Sequence, residues 1–259
     1  MVTIKKPEEI EVLRQGGKIL AEILAELVEM AKAGVKTIDL DRKAEELIIK
    51  RGGSPAFKNY SGEQLDEIPF PSTICASIND QLVHTPAGQE RLKSGDIFSI
   101  DIGMKYPAAD GYFTDMATTV AIGNVRAATK KLLKVTKQSL MLGIDQVKAG
   151  KKISDISKAV QKHVEANGFS VVRQLVGHGV GYKVHEDPRI PNYYDPRMKD
   201  VTLEAGMVLA IEPMVNVGSP AIRTLADGWT VATADGELCA HFEHTVVVTK
   251  SGCEILTNI

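Results

Sequence analysis

Five residues carry side chains that chemistry would want in places where a solvent-facing role is hard to arrange. Phe98-Ser99-Ile100-Asp101-Ile102-Gly103 sets Asp101 inside a strand-like run, and Phe113-Thr114-Asp115-Met116-Ala117 does the same for Asp115. Leu209-Ala210-Ile211-Glu212-Pro213-Met214 and His241-Phe242-Glu243-His244-Thr245 each place a glutamate beside apolar sequence, although glutamate is depleted in strands. If buried, each carboxylate must be paired or bound to a cation, because an isolated charge at low dielectric is very costly. The alternative for all four acids is a solvated strand face. Gly177-His178-Gly179 adds a nitrogen donor whose glycine neighbours permit close approach to another group.

Two Asp, two Glu and one His form a donor set rich in hard oxygen, suited to divalent ions such as Mn, Fe, Co or Zn rather than to a thiolate zinc site. A pair of such ions about 3.5 to 4 Å apart activates water as a nucleophile and stabilises an anionic intermediate, which is hydrolase chemistry. Spacing alone leaves the convergence of the five open. Asp101 and Asp115 flank the turn Ala109-Asp110-Gly111, so adjacent antiparallel strands would present both carboxylates on one side. His163, His241 and His244 read as strand or helix histidines without a catalytic role.

The elements that must position these groups follow a repeated order. Pro7-Glu8-Glu9 opens a helix with apolar residues Ile10, Leu13, Ile19, Ile23, Leu27 and Met30, ended by Ala33-Gly34. A second helix, capped by Thr37, buries Leu40, Ala44, Leu47 and Ile48 and stops at Gly52-Gly53. The same grammar returns later: Gly34, Lys36, Asp39 and Gly52 correspond to Gly150, Lys152, Asp155 and Gly168, and Leu40, Ala44 and Ile48 to Ile156, Val160 and Val164. A long helical pattern from Ala127 to Met141 precedes the second copy, as Pro7 to Met30 precedes the first. Either glycine-terminated helices coincide, or the chain has two pseudo-symmetric halves.

Strands are expected at Thr73 to Ile78, Ile97 to Met104, Thr118 to Ile122, Val208 to Pro213, Thr230 to Thr233 and His244 to Thr249, with Asp235-Gly236 as a hairpin turn. Grouped helices and meandering strands indicate an α+β fold with antiparallel sheet, in one domain over residues 1–259.

Composition narrows the function. Lys plus Arg number 31 against 33 Asp plus Glu, so net charge offers no general attraction to nucleic acid or an anionic membrane. Cys75, Cys239 and Cys253 form no close pair, which argues against a disulfide framework and fits a reducing, cytoplasmic location. The start lacks a signal-peptide pattern, and no apolar run reaches the roughly 20 residues that span a bilayer. Neither GxGxxG nor a Walker lysine is present.

Taken together, Cys75-Ala76-Ser77-Ile78-Asn79 leading to His84, Ser99-Ile100-Asp101-Ile102, Thr114-Asp115, Gly177-His178-Gly179-Val180-Gly181 followed by His185-Glu186-Asp187-Pro188, Ile211-Glu212-Pro213-Met214 and Phe242-Glu243-His244-Thr245 resemble the type I methionine aminopeptidases of peptidase family M24. The resemblance covers almost the whole chain and implies the creatinase, or "pita-bread", fold with pseudo-two-fold halves. It implies two divalent metal ions (Co, Mn, Fe, Zn or Ni), with Asp101 on one, His178 and Glu212 on the other, and Asp115 and Glu243 bridging. It implies catalytic roles for His84, His185 and Glu212, the last as proton shuttle. It further implies a methionine pocket from Phe57, Tyr60, Phe70, Cys75 and Trp229, with His84 and His185 also touching substrate. The expected substrate is a peptide or nascent-chain N-terminus with a small second residue. A monomer in transient contact with a translating ribosome, binding neither a specific nucleic acid nor a membrane, is the expected context.

Three features depart from that pattern. The stretch Ser61 to Ile68 is long, an insertion at Pro107 to Asp110 lengthens the Asp101 to Asp115 connection, and Val184 stands where the family usually has an aromatic residue. Both loops are expected at the pocket mouth, and the pocket is expected either to widen or to be filled by another residue. The competing functions are a proline-directed dipeptidase or aminopeptidase of the same fold, and a non-catalytic binding protein on that scaffold.

Overall fold

Helix α1 (Pro7–Met30) begins where the sequence places it, with the Glu9 carboxylate accepting the Lys6 backbone N–H at 2.7 Å. Its buried stripe runs through Leu13, Leu20, Ile23, Leu24 and Leu27, while Met30 is exposed. In α2 (Thr37–Lys50) the cap is Lys36 and Thr37 is the first helical residue. The Thr37 hydroxyl is used elsewhere, accepting the Gly88 N–H at 2.8 Å and donating to the Gly88 carbonyl at 3.1 Å. Helices α3 (Ala127–Ile144) and α4 (Ile153–Ala166) form the second pair. The computed structural model describes residues 2–61 and 68–258.

The strands are β1 (Ser54–Pro55), β2 (Ile74–Ile78), β3 (Gln81–Val83), β4 (Ile97–Tyr106), β5 (Tyr112–Ala121), β6 (Ser170–Val171), β7 (Gly177–Gly179), β8 (Glu186–Ile190), β9 (Val208–Ile211), β10 (Met214–Asn216), β11 (Ile222–Thr224), β12 (Val231–Thr233), β13 (Cys239–His241), β14 (Glu243–Val248) and β15 (Cys253–Ile255). A principal antiparallel sheet runs β1-β4-β5-β14-β9-β7-β8, with β2 on β4 and β15 on β14. Two smaller sheets, β13-β10-β6 and β11-β12-β3, flank it. Strand β5 starts well before the expected Thr118, because Thr114 and Asp115 interrupt its apolar signal although both are buried, one on each face. The Asp235-Gly236 turn forms, but β12 and β13 on either side of it belong to different sheets, so it joins sheets and makes no hairpin. The turn at residues 107–110 lies against the end of α2, where the Ala108 N–H donates to the Gly52 carbonyl at 2.9 Å, and no residue of it lines the central cavity.

Each helix pair covers half of one sheet face. Leu20, Leu27, Leu40 and Ile48 pack on Phe98, Ile100, Ile102 and Met116, and Leu132, Leu140, Ile156 and Val160 pack on Leu209, Ile211 and Val246. Because side chains alternate along a strand, this fixes Asp101, Asp115, Ala117, Ala210 and Glu243 on the opposite face.

The internal echo is a repeat of bonds as well as residues. Gly34 N–H donates to Leu92 O at 2.7 Å and Leu92 N–H to Val35 O at 2.9 Å; in the second half Gly150 donates to Leu203 O at 2.9 Å and Leu203 to Lys151 O at 2.7 Å. Gly95 and Ile122 are joined as Gly206 and Val248 are: Gly95 N–H to Ile122 O at 2.8 Å, Gly206 N–H to Val248 O at 3.0 Å. Gly95 and Gly206 both need the left-handed region, with φ of 104° and 93°. Carried along the strands, these equivalences match Asp101 with Glu212, Ala117 with Glu243, Asp115 with His241 and Thr119 with Thr245.

Helix α1 is seated through Gly17, where an added Cβ would stand 2.4 Å from the Leu256 carbonyl oxygen, whereas one at Gly252 meets nothing within 4 Å. Gly17→Ala is therefore expected to destabilise the protein by about 1 to 3 kcal/mol in urea denaturation. Gly252→Ala is expected to stay within about 0.5 kcal/mol of the parent.

Candidate metal centre

Strand register brings the sequence-predicted donors together. Asp101 lies opposite Ala117 in the β4–β5 ladder, and Ala117 lies opposite Glu243 in the β5–β14 ladder. Asp115 is two residues from Ala117 and so shares its face. His244 pairs with Ile211, which sets Glu243 beside Glu212, and His178 pairs with Ala210, two residues from Glu212. Five side chains, from β4, β5, β14 and β7 and from the residue that follows β9, thus converge on the face turned away from the helices.

Two threonines lock this register. Thr245 Oγ1 accepts the Asp115 N–H at 3.0 Å and donates to the Asp115 carbonyl at 2.7 Å. Its counterpart Thr119 accepts the His241 N–H at 2.9 Å and donates to the His241 carbonyl at 2.7 Å. Each hydroxyl does for a backbone what a neighbouring strand would otherwise do, and it does so where β5 and β14 splay apart.

The donor atoms of Asp115, His178 and Glu243 all lie within 4.8 Å of one another. His178 Nε2 stands 3.5 Å from Glu212 Oε1, and His241 Nε2 stands 3.4 Å from Glu212 Oε2. Asp101, Asp115 and Glu243 are buried, and each has a carboxylate oxygen without a hydrogen-bond partner. Among the described residues, no lysine or arginine forms an ion pair with any of the four acids. Burial, reinforced by mutual repulsion, holds Asp115 and Glu243 well above the usual carboxylate range. Burial raises Glu212 to about 8 and Asp101 to about 6. The imidazoles move the other way. Burial, then the neighbouring His185, lowers His178 to about 3, and burial lowers His84 to about 4 and also lowers His185 and His241. Neutral imidazoles and orphaned carboxylate oxygens, with no cationic side chain to balance them, are the donor chemistry of a divalent metal site.

One cavity of about 650 Å³ reaches this cluster, and every residue expected to contact metal or substrate lines it. Phe57, Phe70, Cys75 and Val184 form a buried apolar group, with Tyr60, Phe113 and Trp229 packed against it. The Phe70 and Trp229 rings meet edge-on at 5.2 Å. Phe113 brings an aromatic ring to the group containing Val184. Tyr60 and Phe70 are pinned together by the Phe70 N–H to Tyr60 carbonyl bond at 2.8 Å, and residues 62–67 of the long stretch between them lie outside the described residues. The Tyr60 hydroxyl is hydrogen-bonded to His185 Nδ1 at 2.9 Å, and the His185 ring meets that of His178 at 4.5 Å. His84, at the end of β3, has a φ of 59°, a sparsely populated conformation for a non-glycine residue.

Several contributors were not anticipated from sequence: Val83, Leu175 and Met214 in the cavity wall, Phe113 behind it, and above all His241. The spacing of His241 from Glu243 carried the signal, since residues two apart on extended chain share a face. His244, the residue after Glu243, points away and bonds Thr257 Oγ1 at 3.0 Å.

Two outcomes follow from this geometry. Thr245→Val removes both bonds to Asp115 and is expected to lower stability by about 1 to 3 kcal/mol and manganese affinity about 10- to 100-fold, while Thr245→Ser stays near the parent. Urea denaturation and calorimetric titration check this. The second concerns pH. Folded-state values above the unfolded ones mean that the acids favour folding while protonated and lose that contribution as pH rises through the folded values. Above the histidine range, from about pH 7 to about pH 9, the metal-free protein is expected to lose thermal stability as Glu212 and its neighbours ionise. Added Mn²⁺ is expected to raise the melting temperature more at the upper end of that window, because metal displaces protons.

Comparison with known proteins agrees with the geometry. The sequence profile of metallopeptidase family M24 matches residues 11–250. Methionine aminopeptidase 1 of Bacillus subtilis is 49% identical over 100% of both chains. The crystal structure of methionine aminopeptidase from Thermotoga maritima superposes with a TM-score of 0.92 at 40% identity, covering 100% of each chain. The prolidase from Pyrococcus horikoshii shares the fold, with a TM-score of 0.77 at 22% identity over 98% of this chain and 63% of that one. The chain belongs to metallopeptidase family M24, and within it to the methionine aminopeptidases.

Proposed function

We propose that the protein removes the N-terminal methionine of peptides and nascent chains whose second residue is small, using two divalent ions held by Asp101, Asp115, His178, Glu212 and Glu243. The observation that carries this reading is the cluster of buried carboxylates, paired with no lysine or arginine among the described residues, at one end of a cavity whose wall is aromatic and thiol-bearing. Divalent ions bound there would supply Lewis acidity towards the scissile carbonyl and make water nucleophilic at neutral pH.

The protein's own groups do the rest. Phe57, Tyr60, Phe70, Cys75 and Trp229 take the methionine side chain by area burial and sulfur–aromatic contact. Glu212, whose Oε1 stands 3.5 Å from His178 Nε2 among the donor groups, takes the nucleophile's proton and returns it to the leaving amide nitrogen. His185, held by the Tyr60 hydroxyl, offers a neutral ring to the developing oxyanion, and His84 orients the leaving nitrogen. The physiological ion is one of Co, Mn, Fe, Zn and Ni. The protein acts as a monomer in the cytoplasm, in transient contact with the ribosome, and no helix among the described residues is long and apolar enough to cross a membrane.

Hydrolysis of Met-Ala-Ser, Leu-Ala-Ser and Ala-Pro by the Mn²⁺- or Co²⁺-loaded enzyme tests the assignment. The methionine peptide is expected to be cleaved at least about 10-fold faster in kcat/KM than the leucine peptide, a discrimination within reach of a shaped apolar pocket. Preference for Ala-Pro would replace the assignment by a proline-directed one. Asp115→Ala is expected to lose an ion and nearly all turnover, and an active variant with unchanged metal content would remove the binuclear reading.

A further inference from the structure

His241 is 1% exposed, and neither of its ring nitrogens has a hydrogen-bond partner among the described residues. A buried imidazole left in that state calls for an explanation. Its Nε2 faces Glu212 Oε2 at 3.4 Å, while His178 Nε2 faces Oε1 of the same carboxylate at 3.5 Å. Glu212 therefore lies between two imidazoles, one to each oxygen. The backbone of His241 is held on both its N–H and its carbonyl by Thr119 Oγ1, so the ring is presented from a fixed point. By the pseudo-two-fold relation it stands where the first half has Asp115, and it shares the inward phase of Glu243.

We propose that His241 is a positioning residue for Glu212: its Nε2–H holds the Oε2 oxygen, so that Oε1 stays turned towards His178 and the metal centre. The inference rests on the reading of Glu212 as metal ligand and proton shuttle. A ligating carboxylate needs its remaining oxygen satisfied, and groups in that outer position orient the ligand and tune the metal. The 3.4 Å separation is longer than a formed hydrogen bond, and such contacts in catalytic sites tighten when the site is loaded. The rival assignment is direct ligation, since donor atoms of Glu212, His241 and Glu243 also lie within 4.8 Å of one another. Glutamine separates the two roles: its amide donates to a carboxylate but is a poor substitute for imidazole on a transition-metal ion.

The test compares the parent protein, His241→Gln and His241→Ala, each loaded with Co²⁺. Cobalt affinity and stoichiometry are read by calorimetry, the ligand field by visible absorption, and kcat and KM with Met-Ala-Ser. Because Thr119 grips only the backbone of residue 241, both variants are expected to fold, which circular dichroism checks. His241→Ala is expected to lower kcat about 10- to 100-fold and cobalt affinity about 10-fold, with KM within about twofold and the number of ions unchanged. His241→Gln is expected to recover kcat to within about threefold and to give the parent's cobalt spectrum. Parental kcat and affinity in His241→Ala would overturn the inference. So would a His241→Gln as impaired as His241→Ala with an altered cobalt spectrum, which would make His241 a ligand. A parent protein that binds no cobalt or leaves Met-Ala-Ser intact would instead sink the underlying assignment, and this inference with it.

Discussion

Four carboxylates gathered on one sheet face and, among the described residues, with no lysine or arginine paired to any of them set the terms for the rest of this molecule. Left to themselves such groups repel, and burial makes each ionised form more costly still. The protein holds them in place by spending its regularity on the opposite face. Phe98, Ile100 and Ile102 of one strand, and Leu209 and Ile211 of another, pack under helices and thereby force Asp101 and Glu212 inward. The polar centre and the apolar core are two sides of the same alternation.

Register is the second requirement, because a slip of one residue would turn every acid to the wrong face. The structure guards against this with long ladders and with side-chain hydroxyls. The β4–β5 ladder pairs from Ile97↔Ala121 to Tyr106↔Tyr112 without interruption, while β5 and β14 pair directly only around Glu243 and His244. Thr245 and Thr119 take over where that short ladder ends, one on the backbone of Asp115 and the other on that of His241. Their pseudo-symmetric placement explains why two halves with different loops still meet in one centre.

How much of this the sequence discloses depends on the scale of the signal. The helices, the long strand at Ile97 and the five acid and imidazole positions announce themselves through period and context, and Gly34, Lys36, Asp39 and Gly52 announce the repeat. Short strands such as Gly177–Gly179 and Glu186–Ile190 do not, since glycine and proline in them read as loop, and only pairing with neighbours makes them strands. The first residues of β5 are hidden because Thr114 and Asp115 are buried polar groups, which look exposed in a one-dimensional reading. His241 is hidden differently. Its neighbour His244 has the same residue type on the other face, and only the pairing of β13 and β14 with their partner strands decides which of them lies beside the donor cluster.

The substrate cavity shows the same division between what the chain states locally and what the fold composes. Val184, buried with Phe57, Phe70 and Cys75, belongs to a group that gains an aromatic neighbour from Phe113 on β5, two residues before Asp115. One strand thus supplies both bulk to the apolar group and a buried carboxylate to the donor cluster, and the separation of the two is set by the pitch of that strand rather than by the meeting of two loops. Loops vary in length without altering that pitch. This is why the turn at residues 107–110 can be lengthened at the far end of the β4–β5 hairpin while Asp101 and Asp115 remain in register, with Gly103 opposite Asp115.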